Sequence, residues 1–356
     1  MKNIAWLTII LAVTPVMGEK VADLPELNRP SSMAVADSML YICDDDAIRV
    51  YAMEPFRFVR TLGRGGEGPG EFNSSPHLAV HPDGLFVNTM GKIMKFSSDG
   101  EFQGQTKLPF VYWYFYYPLM KLGDNFVGLP LKRIGEVSKT IHTVNLYDPQ
   151  LKLIAEFYQG GPPAMLPPPP PGGKVVKTDY QVIPDCLEVA VHGARIYVAD
   201  SRRGFAMAVF DSTGKHLFDW EKAYTRIKVP EEFKRRFWEE TRAADNWEQQ
   251  KLRFNYIIRD HYPAFFSMKI QQGKIYLTTY ARRDGLHEVV VLDLRGDILK
   301  RVFACPLDPE VRLLRGIAPF SNEYVIRDET FYTIILNEAS MLYELHAHAF
   351  GSLPES

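Results

Sequence analysis

One pattern recurs along this chain and limits its fold more than any other feature. A short apolar strand leads through a tight turn to a Tyr/Phe/Val-rich strand, then a polar loop, a third apolar strand, a second turn and a last strand. The second copy runs Leu78-Ala79-Val80, Pro82-Asp83-Gly84, Leu85-Phe86-Val87-Asn88, Ile93-Met94-Lys95-Phe96 and Asp99-Gly100. Copies begin near Ser32, His77, Leu119, Leu187, Phe265 and Ile317, the third and sixth being looser. Each supplies about four short strands bounded by Gly, Asp, Asn and Pro. A four-stranded sheet cannot bury its faces alone, but copies stacked around an axis can. The expectation is an all-β, six-bladed β-propeller with four-stranded antiparallel blades. A pair of β-sandwiches would also use many short strands, yet it gives no reason for one order of turns to recur six times.

Helical periodicity appears in one place only, which disfavours a parallel α/β fold. Between the fourth and fifth copies, Phe233, Phe237 and Trp238 fall at i, i+4 and i+5, followed by Trp247, Leu252, Phe254 and Ile258. Pro230 suits a first helical turn, Glu231 and Glu232 suit its dipole, and Pro263 marks a stop. A helical insertion is expected at about residues 222–263. A second irregular segment, at about residues 160–172, carries the run Pro167 to Pro171. Such a run cannot join a sheet and reads as an extended loop between blades.

The first 18 residues read as a signal peptide. Lys2 gives a positive start, residues 4–16 are apolar apart from Thr8, Thr14 and Pro15, and Val16-Met17-Gly18 offers a cleavage site before Glu19. The run is shorter than the roughly 20 apolar residues of a membrane span, and no later stretch is long enough. The expectation is an exported protein, periplasmic or extracellular, with residues 19–356 as one propeller domain and no transmembrane segment after the leader. An uncleaved N-terminal anchor is the alternative. Whether residues 21–27 add a strand to the last blade is left open. Cys43, Cys186 and Cys305 form no C-x-x-C spacing and read as small buried hydrophobes. With 41 basic and 43 acidic residues, bulk charge gives no pull toward nucleic acid.

The junction after the first copy is rich in glycine: Gly63, Gly65, Gly66, Gly68 and Gly70, with Arg64, Glu67, Pro69, Glu71 and Phe72 among them. It lacks the Gly-Lys-Ser/Thr ending of a phosphate loop and opens no helix. Together with the second copy that follows, it resembles the junction and repeat of NHL-repeat propellers, and in particular the exported bacterial six-bladed type. The resemblance spans about residues 21–350 and implies the propeller fold. It leaves function open, because such propellers include binding scaffolds, receptor-like ectodomains, and a few lyases or lactonases.

Connectivity bears on function more directly. If the strands of a blade are lettered A to D from the axis outward, the B-to-C loops and D-to-A junctions share one face of the disc. The A-to-B and C-to-D turns share the other. The turns are minimal, as in Asp37-Ser38, Asp83-Gly84, His192-Gly193, Gln272-Gly273 and Arg295-Gly296. All elaboration lands on the first face: the Gly-rich loop, the aromatic run at residues 111–117, the proline segment, the helical insertion, and the loops with Arg202-Arg203 and Arg282-Arg283. Loops on a rigid scaffold are where binding residues concentrate. The reading is therefore a binding or interaction module working around the central channel, partly roofed by residues 222–263, for a peptide, glycan or protein. Its candidate contacts are Arg64, Glu67, Arg202, Arg203, Arg282 and Arg283, the arginine pairs suiting carboxylate or phosphate groups. No catalytic motif is present and no cofactor is expected. The alternative, a lyase or lactonase-type hydrolase with a divalent metal in the channel, would draw on Asp44, Asn88 and Asp200, which recur at matching ends of strand B. Capping is the preferred role for these three, and His346 and His348 lack a nameable third ligand.

Overall fold

The computed structural model describes residues 18–108, 119–134, 139–162, 177–314 and 323–351. It is a six-bladed β-propeller, with blades at residues 30–62, 77–107, 120–159, 187–222, 267–305 and 324–349. The innermost strands are Pro30–Ala36, His77–His81, Met120–Leu122, Leu187–His192, Ser267–Gln271 and Tyr324–Arg327. They touch one another in that order, and the last meets the first. Glu19–Leu24 closes the ring by pairing antiparallel with Leu342–Ala349 as outer strand of the sixth blade. In the third blade strand B is split. Asn125–Gly128 and Leu131–Ile134 both pair with Lys139–Tyr147, and Pro130, which has no N–H to give a ladder, stands near the break.

The second strand of each blade is sandwiched between neighbouring blades, so both its faces are buried. That is why Leu40-Tyr41-Ile42-Cys43, Leu85-Phe86-Val87 and Ile196-Tyr197-Val198-Ala199 read as continuous apolar runs rather than alternations. The core is accordingly a set of inter-blade layers. Tyr41, Cys43 and Val50 pack on Leu85, Val87 and Met94, Val144 and Leu146 on Ile196 and Val198, and Tyr197 and Met207 on Ile275 and Leu277. Outer strands such as Phe102–Lys107 are largely exposed. Register shifts between strands C and D recur at Val50/Tyr51, Lys95/Phe96, Val209/Phe210 and Val291/Leu292, bulges that add twist toward the rim.

The C-to-D turns are built from side-chain caps. Asp211 Oδ1 accepts the N–H groups of Thr213 and Lys215, and Asp293 Oδ1 those of Arg295 and Asp297. Gly296 then takes φ +92 and sits so close to the preceding blade that a Cβ would lie 2.5 Å from the Trp220 ring.

Helices Glu231–Ala243 and Trp247–Arg253 fall between blades 4 and 5, inside the expected insertion, with Pro230 at the N-cap. Two features differ from the sequence reading. A short helix, Pro309–Leu314, lies between blades 5 and 6. Thr178–Gln181 also pairs in parallel with Phe254–Ile257, joining the junction before blade 4 to the insertion after it. Cys43, Cys186 and Cys305 are free thiols, and burial pushes Cys43 up to about 11 and Cys305 up to about 12. The leader up to residue 17, the aromatic run and the run Pro167 to Pro171 lie outside the described residues.

Candidate functional site

The B-to-C loops and D-to-A junctions do meet on one face. Gly65 N–H donates to Asp46 Oδ2 at 3.1 Å, and Arg202 Nη2 donates to the Gln159 carbonyl at 2.9 Å. The insertion is packed down onto this face. Val182, Ile183, Val229, Phe233 and Phe237 share one buried cluster with Phe266, Tyr280, Cys305 and Leu313. Arg259 fixes the arrangement through two hydrogen bonds of 2.9 Å to Asp185.

The predicted arginines on this face are engaged internally. Arg64 pairs with Glu71 at 2.7 Å. The Gly68 N–H, and next the Arg64 guanidinium, hold the Glu71 carboxyl below its ordinary range. Glu67 is exposed at the rim of a shallow recess shared with Asp45, Asp46 and Asn73. Arg202 grips Asp200, Arg203 bonds Asp219 at 2.8 Å, Arg282 reaches Asp308 at 3.4 Å, and Arg283 lies 4.4 Å from the Phe303 ring centroid. The two pairs belong to different blades. Neither lines the recess of about 430 Å³ between blades 4 and 5, whose walls include Phe205, Tyr224 and Pro263. The cation there is Arg301, bonded at 3.0 Å to Glu288, which also accepts from Thr279 at 2.9 Å.

Asp44, Asn88 and Asp200 do stand at equivalent ends of strand B, but in blades 1, 2 and 4. Adjacent strands lie about 4.8 Å apart, so residues on the second strands of opposite blades 1 and 4 are separated by the whole channel and its walls. Asp44 is fully used: it accepts the N–H groups of Asn28 and Arg29 at 2.9 and 2.6 Å and pairs with Arg49. Asp200 accepts from Arg202 N–H at 3.0 Å and Tyr158 OH at 3.0 Å. Asn88 is buried in the second blade, and neither polar atom of its side chain has a protein partner. No group of three His, Cys, Asp or Glu side chains among the described residues is arranged to hold a metal ion.

What the six blades do bring together is the channel itself. Each inner strand has a single hydrogen-bonded neighbour, which leaves its other edge on the axis. Near the A-to-B turns these edges enclose a cavity of about 520 Å³, walled by all six inner strands. Its lining is mostly aliphatic, as at Leu78, Val189, Met268 and Ile326, with His81, Lys121, His192, Lys269 and Gln271 among the polar groups. Toward the elaborated end of the inner strands, Ser267 Oγ and Tyr324 OH are 2.6 Å apart across blades 5 and 6, and Glu188 is 1% exposed. This recess therefore lies on the minimal-turn side, not beneath the insertion. Lys121 and Lys269 were overlooked in the sequence, although a charged residue inside an apolar innermost strand, as in Met268-Lys269-Ile270, was a signal to weigh.

Comparison with known proteins supports the architecture at its N-terminal end. Residues 22–126 match a family model described as a 6-bladed beta-propeller. No curated protein matches the chain. Solved structures similar to it include "KlHsv2 with loop 6CD replaced by a Gly-Ser linker", at 8% identity and TM-score 0.37, covering 92% of this chain and 100% of that one. The Neurospora crassa Pan2 WD40 domain is similar at 9% identity and TM-score 0.38, covering 92% of this chain and 90% of that one. Among the described residues, no helix is long and apolar enough to cross a membrane.

Proposed function

We propose that this propeller is a binding module of the NHL-like exported type, and that a small ligand or the tip of a peptide enters the channel cavity. The observation that carries this reading is the cavity's construction: about 520 Å³, aliphatic walls from six blades, and a few polar side chains. Small-molecule sites have this character, concave and mostly apolar with few orienting groups, at about 300–1,000 Å³. Free backbone edges around the axis add hydrogen-bond donors and acceptors that no side chain need supply. The elaborated face, with its closed ion pairs, suits a broader protein contact and is a weaker receptor for a small anion.

A thermal-shift and NMR screen of the purified protein against Gln271→Trp tests the reading. Gln271 lines the cavity at the end of its inner strand, beside the A-to-B turn, so a bulky ring there should block entry without disturbing the core. Ligands that shift the parent but not the variant support the channel. Hits that act equally on both move the site elsewhere. Export is tested separately, by fractionating bacterial cells that express the chain from its own leader and sequencing the mature N-terminus. Retention in the cytoplasm would overturn that part of the proposal.

A further inference from the structure

We propose that the recess between blades 4 and 5 is a carbohydrate-binding site, in which one face of a pyranose ring lies on Tyr224 while its hydroxyls meet the Glu288–Arg301 pair. This site is separate from the channel cavity and does not depend on how that cavity is read.

The polar wall belongs to blade 5. Leu277 on the strand Lys274–Arg283, and Val290 and Leu292 on Leu286–Asp293, point into the layer shared with blade 4. Side chains alternate along a strand, so Thr279 and Glu288 point the same way. Arg301, the cross-strand partner of Val290, joins them from the outer strand, and all three line the recess. The ladder is broken at this level. Between the pairs Thr278–Val289 and Arg282–His287, residues 279–281 oppose Glu288 alone, a bulge beside the carboxylate. Glu288 holds the group together, Oε1 accepting from Arg301 at 3.0 Å and Oε2 from Thr279 at 2.9 Å. These bonds fix the carboxylate without exhausting it, because a carboxylate has about four lone-pair sites and a guanidinium several N–H donors. The Glu288 side chain is 13% exposed and that of Arg301 43%, which sets the acid in the depth and the cation toward solvent.

The opposite wall is aromatic and comes from blade 4. Tyr224 lies just beyond the outer strand His216–Lys222 and is half-buried. Phe205 backs it, with ring centroids 6.5 Å apart at 33°, and a Cβ on Gly204 would lie 3.2 Å from the Tyr224 ring. Braced from behind, the ring borders the recess, whose rim Thr225 and Pro263 complete.

This chemistry narrows the occupant. Glu288 and Arg301 offset each other and no other charged side chain lines the recess, so a neutral ligand fits better than an ion. One aromatic wall facing a carboxylate, a hydroxyl and a guanidinium suits a molecule with an apolar face and an edge that both donates and accepts. A pyranose has that form, with C–H groups on a face and hydroxyls around the edge. A nucleobase, apolar on both faces, would set one of them against the carboxylate. The volume, about 430 Å³, lies in the range of about 300–1,000 Å³ found for small-molecule sites.

Ligand-observed NMR titration of the full chain with the methyl β-glycosides of glucose, galactose, mannose and N-acetylglucosamine, and with adenosine, tests this. At least one glycoside should bind, with an affinity nearly independent of salt because the ligand carries no charge. Glu288→Gln keeps the shape of the wall but removes the anionic acceptor, and should weaken binding about tenfold. Tyr224→Ala should weaken it by a similar factor. Thr225 is exposed at the rim, so Thr225→Trp should block the recess without entering the core, and it decides the matter if either other variant misfolds. Gln271→Trp, in the channel, should leave glycoside binding unchanged. Binding that survives Thr225→Trp, or that Gln271→Trp abolishes, would put the sugar elsewhere and overturn the assignment. Adenosine binding more tightly than every glycoside, or no glycoside binding at all, would overturn it too. Neither result bears on the channel, which stands or falls on its own screen.

Discussion

At the scale of single residues, the fold depends on a few positions where one atom more or less cannot be absorbed. Gly296 is one: its φ of +92 disfavours any Cβ, and the Trp220 ring already occupies that space. Gly296→Ala should lose about 2–4 kcal/mol in urea unfolding, the left-handed backbone and the overpacking both contributing. Asp44 is another, since three donors converge on a carboxylate that is 1% exposed. Asp44→Ala strands them in the interior and should cost about 3 kcal/mol or more, with no change in metal content by elemental analysis. Asn88 has the opposite sign. Its buried amide has no protein partner, so Asn88→Leu should leave stability within about 1 kcal/mol of the parent or raise it. A loss well beyond that would mean that an ordered molecule is bound there.

At the scale of elements, the insertion behaves as a packed roof. Phe233 and Phe237 point from one side of Glu231–Ala243 into the cluster that includes Tyr262 and Leu313. Phe233→Ala should cost about 3–5 kcal/mol, seen first as faster hydrogen exchange across residues 225–262 and only later in the blades. Two histidines, His287 buried and His142 half-buried, sit in middle strands of blades 5 and 3. His142 and His287 are each held down to about 4, mainly by burial. Between that value and the ordinary 6.5 the unfolded chain binds a proton that the folded chain refuses. Stability is therefore complete above about pH 6.5 and falls as the pH drops toward about 4. Each histidine should contribute a loss of about 2 kcal/mol at pH 5 relative to pH 7. Unfolding of His142→Leu at the two pH values checks this, because the variant should show a smaller difference than the parent.

At the scale of the whole molecule, closure of the ring is the decisive contact. Glu19–Leu24 covers the outer edge of Leu342–Ala349, and Lys20 bonds Glu344 at 2.8 Å while Gly18 N–H donates to His348 at 2.7 Å. The Lys20 ammonium, then Asn337 and His346, hold the Glu344 carboxyl down to about 2. A chain lacking residues 1–24 would expose a bare strand edge. It should melt at lower temperature and form oligomers in size-exclusion chromatography, whereas a chain lacking only residues 1–17 should not.

The repeat order, the four-strand blades, the tight turns and the helical insertion were legible in the sequence because each is a local matter. Turn chemistry at Asp211 or Asp293, apolar runs at Leu85 or Ile196, and Phe233/Phe237 spacing are set within a few residues. The sharing of one face by loops and junctions was legible too, since it follows from strand direction alone. The partners of the long side chains were not. Arg203 and Arg283 looked like ligand contacts, but Asp219 and Phe303 reach them only once the strands have paired. Lys269 drew no attention in the sequence, and only the convergence of six inner strands makes it part of a cavity wall. Chain order fixes which residues share a strand. Which atoms meet across blades far apart in sequence is decided by packing around the axis, and the recess that can hold a ligand exists only there.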